Sequence, residues 1–206
     1  MKVLVRNASL GPILKWAQRG LFSAAALMLG FCTFVVADTW IFQHREQETL
    51  ERLQTGSSGA LQSLPGQPGN IGPDGLIGRI EIQRLNMSVA VVEGTGTAAL
   101  RRAVGHIAGT ALPGQPGNIG IAAHRDTFFR PLRNIQRGDI VTLTTPRGEY
   151  RYSVVSTKVV DPDDVAVLNS DGSEILTLVT CYPFYFVGAA PNRFIVRAKR
   201  IRDQAD

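Results

Sequence analysis

Hydrophobic positions along this chain change their spacing once. Residues 21–37 form an uninterrupted uncharged run, whereas beyond residue 75 apolar residues come in short stretches separated by glycine, proline, asparagine and aspartate. Alternation over a few residues marks half-buried β-strands, and the separating residues are those that turns select. On this pattern residues 76–85 and 87–93 are two strands, and residues 97–104 are a short helix ended by Gly105. Residues 118–124 form another strand, followed by an irregular segment at 128–134. Residues 139–145 and 150–160 form a hairpin across Pro146-Arg147-Gly148. Residues 174–181 and 193–201 complete seven or eight strands. With so few helices, closure into a barrel or a sandwich is the economical solution, and about 130 residues suffice for its core.

The uncharged run sets the organisation of the rest. Seventeen to twenty-two residues at about 1.5 Å each span a hydrocarbon core of about 30 Å. Lys2, Arg6, Lys15 and Arg19 precede it with no acid among them, which predicts that the N-terminus stays in the cytoplasm and the remainder lies outside. Trp16 and Trp40 fall near the two interfaces. A cleaved signal peptide is the alternative, because Val35-Val36-Ala37 puts small residues before Asp38. The length of the apolar stretch, which resumes after Asp38 with Trp40-Ile41-Phe42, favours an uncleaved anchor. The chain therefore divides into a basic cytoplasmic N-terminus at 1–20, a transmembrane signal anchor at 21–42, an extracytoplasmic linker at 43–75 and a folded domain at 76–206. Within the linker, residues 43–54 continue the helix outward until Gly56-Ser57-Ser58-Gly59 breaks it, and Pro65, Pro68 and Pro73 keep the chain open.

Composition narrows the function. An apolar fraction of 44% with 19% charged residues excludes a disordered chain. The net charge of +5 is dispersed: residues 76–206 carry 16 basic and 12 acidic side chains, with no basic run interleaved with aromatics. Nucleic acid is therefore not expected as a partner. Gly94-Thr95-Gly96-Thr97 opens a helix, but no acid follows about twenty residues later, as a dinucleotide site requires. His124-Arg125-Asp126 lacks the downstream asparagine of a kinase catalytic loop. Zinc needs clustered ligands, and His44, His106 and His124 are scattered. Asp161, Asp163, Asp164, Asp171 and Glu174 offer oxygen ligands of the kind Ca²⁺ takes, though a solvated acidic turn explains them better. No cofactor is expected. The nonapeptide Leu-Pro-Gly-Gln-Pro-Gly-Asn-Ile-Gly occurs twice, at 64–72 and 112–120. Two copies do not make a solenoid.

Cysteine usage supplies the chemistry. Cys32 lies within the apolar run, which leaves Cys181 alone in the exported part, at the end of a strand, with no disulfide partner. A lone thiol outside the cytoplasm is either buried and inert or retained for reaction. A free thiol titrates near pH 8.5, so a nucleophile of this kind needs an imidazole or a cation beside it. His124, at a strand end, is the stronger candidate base, and His106 is the rival. Arg193, opening the last strand, carries forked donors suited to an oxyanion or a peptide carbonyl.

Three blocks give these residues a context. Ile121-Ala122-Ala123-His124-Arg125-Asp126-Thr127, then Thr177-Leu178-Val179-Thr180-Cys181-Tyr182-Pro183-Phe184, then Ala190-Pro191-Asn192-Arg193-Phe194-Ile195-Val196 occur in the order found in the sortases. The domain from about residue 76 to 201 resembles that family, and the last two blocks look most like class D. The resemblance implies an all-β fold, a closed eight-stranded β-barrel with short helices, preceded by one transmembrane helix. It implies a cysteine transpeptidase of the cytoplasmic membrane, needing no cofactor. Cys181 is then the nucleophile, His124 the acid and base, and Arg193 the oxyanion or substrate-positioning group. Thr180 corresponds to a threonine that contacts substrate. The implied partners are membrane lipid, a protein with a C-terminal Leu-Pro-x-Thr-Gly-like sorting signal, and an amine acceptor, either a cell-wall precursor or a pilin lysine. Ala123 departs from the glycine common at that place. A hydrolase using the same residues and a silent membrane-tethered binding domain are the alternatives.

Overall fold

The computed structural model describes residues 11–56, 71–72, 75–186 and 188–202. The chain divides into two units, Met1–Ile41 and Phe42–Asp206. Helix α1 (Gly11–Gly56) runs for 46 residues, and its 23-residue stretch Lys15–Ala37 has a mean hydropathy of 2.1 with no side chain buried. By length and composition it can cross a membrane. The apolar window starts earlier than the uncharged run because Lys15 and Arg19 sit at its end, where long basic side chains reach an interface. The helix ends on Gly56, at the break read from Gly56-Ser57-Ser58-Gly59. Residues 57–70, which hold most of the first nonapeptide copy, and the basic residues Lys2 and Arg6 lie outside the described residues.

The second unit contains a closed barrel of eight strands: β1 (Leu76–Ile82), β2 (Met87–Glu93), β3 (Val104–His106), β4 (Asn118–Ala122), β5 (Ile140–Thr145), β6 (Gly148–Val160), β7 (Ile175–Tyr182) and β8 (Asn192–Ile201), in the order β1-β2-β3-β4-β7-β8-β6-β5. β5 returns to β1 and closes the sheet. Two ladders, β2–β3 and β4–β7, are parallel, and the others are antiparallel. Inward positions alternate along each strand, as Leu176 and Leu178 do on β7 and Val196 and Ala198 on β8, and they meet Ile80, Ile121, Leu143, Tyr152 and Phe129 in one core. Burying each of the larger aliphatic side chains contributes about 1.5–3 kcal/mol. Closure depends on Gly78, where a Cβ would stand 2.1 Å from the Thr144 carbonyl oxygen.

The structure shortens or moves some expected elements. The strand expected at 76–85 ends at Ile82, and Gln83–Leu85 is a 3₁₀ turn. The helix expected at 97–104 is α2 (Thr97–Arg102), and Gly105 does not end it: Ala103 is already extended and Gly105 lies inside β3. The reason is close packing, since a Cβ on Gly105 would meet the Gly94 carbonyl at 2.3 Å. The strand expected at 118–124 stops at Ala122, and β6 starts at Gly148 instead of residue 150.

Candidate active site

Residues on opposite strands are brought together by register. In the β7–β8 ladder Cys181 stands directly opposite Arg193, a relation that puts Cα atoms about 4.5–5.5 Å apart. Both belong to the outward set, since Leu178 and Val196, on the alternate positions, face the core. On the other side of β7, the parallel ladder aligns Ala122 with Val179. Two further hydrogen bonds carry that alignment past the end of β4: the Ala123 N–H donates to the Val179 carbonyl at 3.2 Å, and Thr180 Oγ1 donates to the Ala123 carbonyl at 2.8 Å. Counting on from this alignment, His124 follows just past the end of β4 on the side of β7 that bears Cys181. His124 is exposed, while Cys181 and Arg193 are half-buried.

Thr180 is 2% exposed, and its hydroxyl proton is committed to Ala123. It is an inward residue that fixes the backbone leading into His124. The Arg193 guanidinium donates through Nη1 to the carbonyls of Asn192 at 3.1 Å and Ala190 at 3.4 Å. Among the described residues no carboxylate pairs with it, and its other nitrogens make no hydrogen bond. Its fork is thus half occupied.

A cavity of about 290 Å³ lies on the same outer face, bounded by Ile195 and Arg197 of β8, Ser156 and Lys158 of β6, and Asp164, Ala166 and Val167 of the β6–β7 connection. Ile195 and Arg197 continue the outward row that Arg193 begins, so the cavity extends the Cys181–Arg193 pair along β8. Its roof is the 3₁₀ turn Val165–Leu168. Asn118, 2% exposed, holds that roof: its Nδ2 donates to the Val167 carbonyl at 3.1 Å and the Asn169 carbonyl at 3.4 Å, and its Oδ1 accepts from Thr177 Oγ1 at 2.7 Å.

The matches to known proteins agree with this arrangement. The Sortase domain family model matches residues 80–201. The chain belongs to the sortase family. It is 40% identical over 125 residues to Sortase D of Bacillus subtilis, covering 60% of this chain and 63% of that protein. It is 30% identical over 121 residues to Sortase A of Listeria monocytogenes, covering 54% of this chain and 52% of the relative. The chain thus spans less than two thirds of the length of either curated relative. A solved Clostridium perfringens Sortase D5 transpeptidase superposes with a TM-score of 0.61 at 28% identity, over 78% of this chain and 96% of that one. The class D likeness of the Cys-Tyr-Pro-Phe and Ala-Pro-Asn-Arg-Phe blocks stands with these matches.

Other residues of this sortase domain fall away from the site. His106, the rival base, lies on β3 opposite Ile121, and Ile121 aligns with Leu178. It is therefore two strands and three residues from Cys181, about 10 Å along each direction. The ring is 3% exposed, with Nδ1 2.7 Å from Glu93 Oε2 and Nε2 3.0 Å from both the Ala111 carbonyl and Thr110 Oγ1. His106 joins β2, β3 and the β3–β4 connection. His44 is on α1. The acidic residues of the β6–β7 connection are dispersed among other partners: Glu174 meets Arg200 and Arg202, Asp164 faces Lys158 at 3.9 Å, and Asp171 accepts from the Ser173 N–H, which holds its carboxyl below the usual range. Among the described residues no three His, Cys, Asp or Glu side chains converge as metal ligands. Asn118 and Arg125, which hold the loops around the site, were not singled out from sequence. The loop groups they hold are backbone carbonyls 49 to 63 residues away, and a sequence carries no signal for such a pairing.

Proposed function

We propose that this sortase is a membrane-anchored cysteine transpeptidase that cuts a Leu-Pro-x-Thr-Gly-like sorting signal and transfers the protein to an amine. The observation that carries the reading is the register that pairs Cys181 with Arg193, supported by the bonds that tie β4 to β7 up to Ala123, the residue before His124. Cys181 Sγ, as thiolate, attacks the threonine carbonyl carbon of the substrate. A C–S bond forms, and charge develops on the carbonyl oxygen, where the free side of the Arg193 fork stabilises it. The Thr–Gly C–N bond breaks as His124 donates a proton to the leaving amine, leaving a thioester. An incoming amine, from a cell-wall precursor or a pilin lysine, then attacks the thioester. His124 takes its proton, the new amide forms and the Cys181 thiolate departs. Thr180 contributes by fixing Ala123, and no cofactor takes part.

The test uses the full-length chain in detergent with a fluorogenic Leu-Pro-x-Thr-Gly peptide and an oligoglycine amine, with and without EDTA. Ligated product is expected, formed at the same rate in both. Free acid as the only product would replace the transferase with a hydrolase. No cleavage of any such peptide would leave the silent binding domain.

On the same proposal α1 holds the N-terminus in the cytoplasm and the barrel outside. A membrane-impermeant thiol reagent should label Cys181 in intact cells, or in cells with a permeabilised outer membrane. Labelling only after lysis of the inner membrane would reverse the orientation.

A further inference from the structure

Two arginines that the proposed chemistry does not use both reach the same connection. Residues 183–191 join the strand that bears Cys181 to the strand that bears Arg193. Arg125, next in the chain to His124, donates through Nη2 to the carbonyls of Phe186 at 2.7 Å and Gly188 at 2.9 Å, and its guanidinium carbon lies 5.8 Å from the Phe186 ring centroid. Arg133, in the 3₁₀ turn Arg130–Asn134, donates through Nη1 to Tyr185 Oη at 2.8 Å and lies 5.6 Å from that ring centroid. Consecutive aromatics of the connection are thus each gripped by an arginine from the segment that follows His124.

Burial holds the start of this stretch, where Phe184 packs against the core and edge-on to Phe194 at 5.3 Å, but not the next two residues: Tyr185 is 78% and Phe186 47% exposed. Beyond Phe184 the guanidinium contacts supply the constraint, and they act on a path that leads to Arg193. Ala190, in the same connection, offers the carbonyl that accepts from Arg193 Nη1. The connection therefore shares, with the Asn192 carbonyl of β8, in turning the Arg193 guanidinium.

We propose that Arg125, assisted by Arg133, is a positioning residue of the proposed transpeptidase: it clasps residues 183–191 to the His124 segment, and so holds Arg193 in place opposite Cys181. The inference rests on the thioester mechanism above. Arginine suits the task because one nitrogen of its guanidinium binds both carbonyls while the rest of that broad, planar, weakly hydrated group lies near the Phe186 ring, whereas a compact, strongly hydrated lysine ammonium must divide itself between the carbonyls and the ring. Displacing an oxyanion donor by about 1 Å lowers turnover on the order of 10²-fold.

The experiment compares wild type, Arg125→Met, Arg125→Lys and Arg133→Met as full-length chains in detergent. Three quantities are read: kcat and KM on the sorting peptide, alkylation of Cys181 by iodoacetamide, and amide hydrogen exchange over residues 183–191. Arg125→Met should lower kcat by about 10–100-fold with KM within about 3-fold, leave alkylation unchanged and speed exchange. Arg125→Lys should recover less than a third of the lost rate, and Arg133→Met should show a smaller loss of the same kind. Wild-type kcat or unchanged exchange in Arg125→Met would overturn the proposal, as would a matching fall in alkylation, which would locate the damage at the thiol. If the wild-type chain turns over no sorting peptide, the parent mechanism has failed and exchange still decides the clasp. Faster exchange in Arg125→Met then supports it, and unchanged exchange overturns it.

Discussion

Cys181→Ala will abolish peptide cleavage, with kcat falling by on the order of 10⁶, the loss seen when a protease nucleophile is removed. The size follows from the covalent route, because without sulfur no thioester forms and water has no activated path to the carbonyl. The fold should be unaffected. Cys181 is half-buried, outward-facing and not in a disulfide, and its backbone hydrogen bonds to β8 do not depend on the side chain. Its melting temperature should stay within a few degrees of wild type, as is usual for a substitution outside the core. Cleavage by Cys181→Ala at more than about a thousandth of the wild-type rate would rule out the nucleophile assignment. A thioester trapped on wild type by acid quench, and absent from the variant, is the direct observation to seek.

The barrel was legible where local patterning and turn chemistry agree. The alternation on β7 and β8 and the turn residues around Pro146-Arg147-Gly148 each place a strand without help from elsewhere in the chain. β3 was not legible because three residues are too few to show a period of two, and a helix preceding Gly105 reads like a helix with its usual stop. What makes Gly105 a strand residue is its pairing with Val92 and Ala122, and what keeps it a glycine is the Gly94 carbonyl packed against it, eleven positions earlier, a close approach that no pattern encodes. Closure itself depends on β1 meeting β5 and β6 meeting β8, pairings between distant segments.

The site divides in the same way. The thiol, the imidazole and the cation could be nominated from residue type, since few side chains can do such chemistry and Cys181 is alone outside the apolar run. Their mutual placement could not, because it is a matter of register. Ala122 aligns with Val179 and Cys181 with Arg193, and a slip of one residue in either ladder would send one of the three to the opposite face. Thr180 shows the limit of residue type. Its neighbour in sequence is the proposed nucleophile, yet its side chain points inward and serves the Ala123 backbone.

The two histidines give the sharpest separation between chemistry and architecture. His124→Ala should lower kcat/KM by roughly 10²–10⁴, the usual contribution of a general acid–base group, because the leaving amine would depart without its proton. Stability should hardly change, since the ring is exposed and no described hydrogen bond depends on it. His106→Ala should do the reverse. It removes a buried ring and leaves Glu93 Oε2 and the Ala111 carbonyl without their partner, which costs about 2–4 kcal/mol. In a domain of this size the melting temperature should fall by on the order of 10 °C. Below that temperature the folded His106→Ala chain should keep most of its turnover, because its vacancy lies two strands from the thiol. Rates normalised to folded protein, measured beside thermal unfolding, distinguish the two effects. A stable but inactive His106→Ala, paired with an active His124→Ala, would transfer the acid–base role to His106 and undo the assignment.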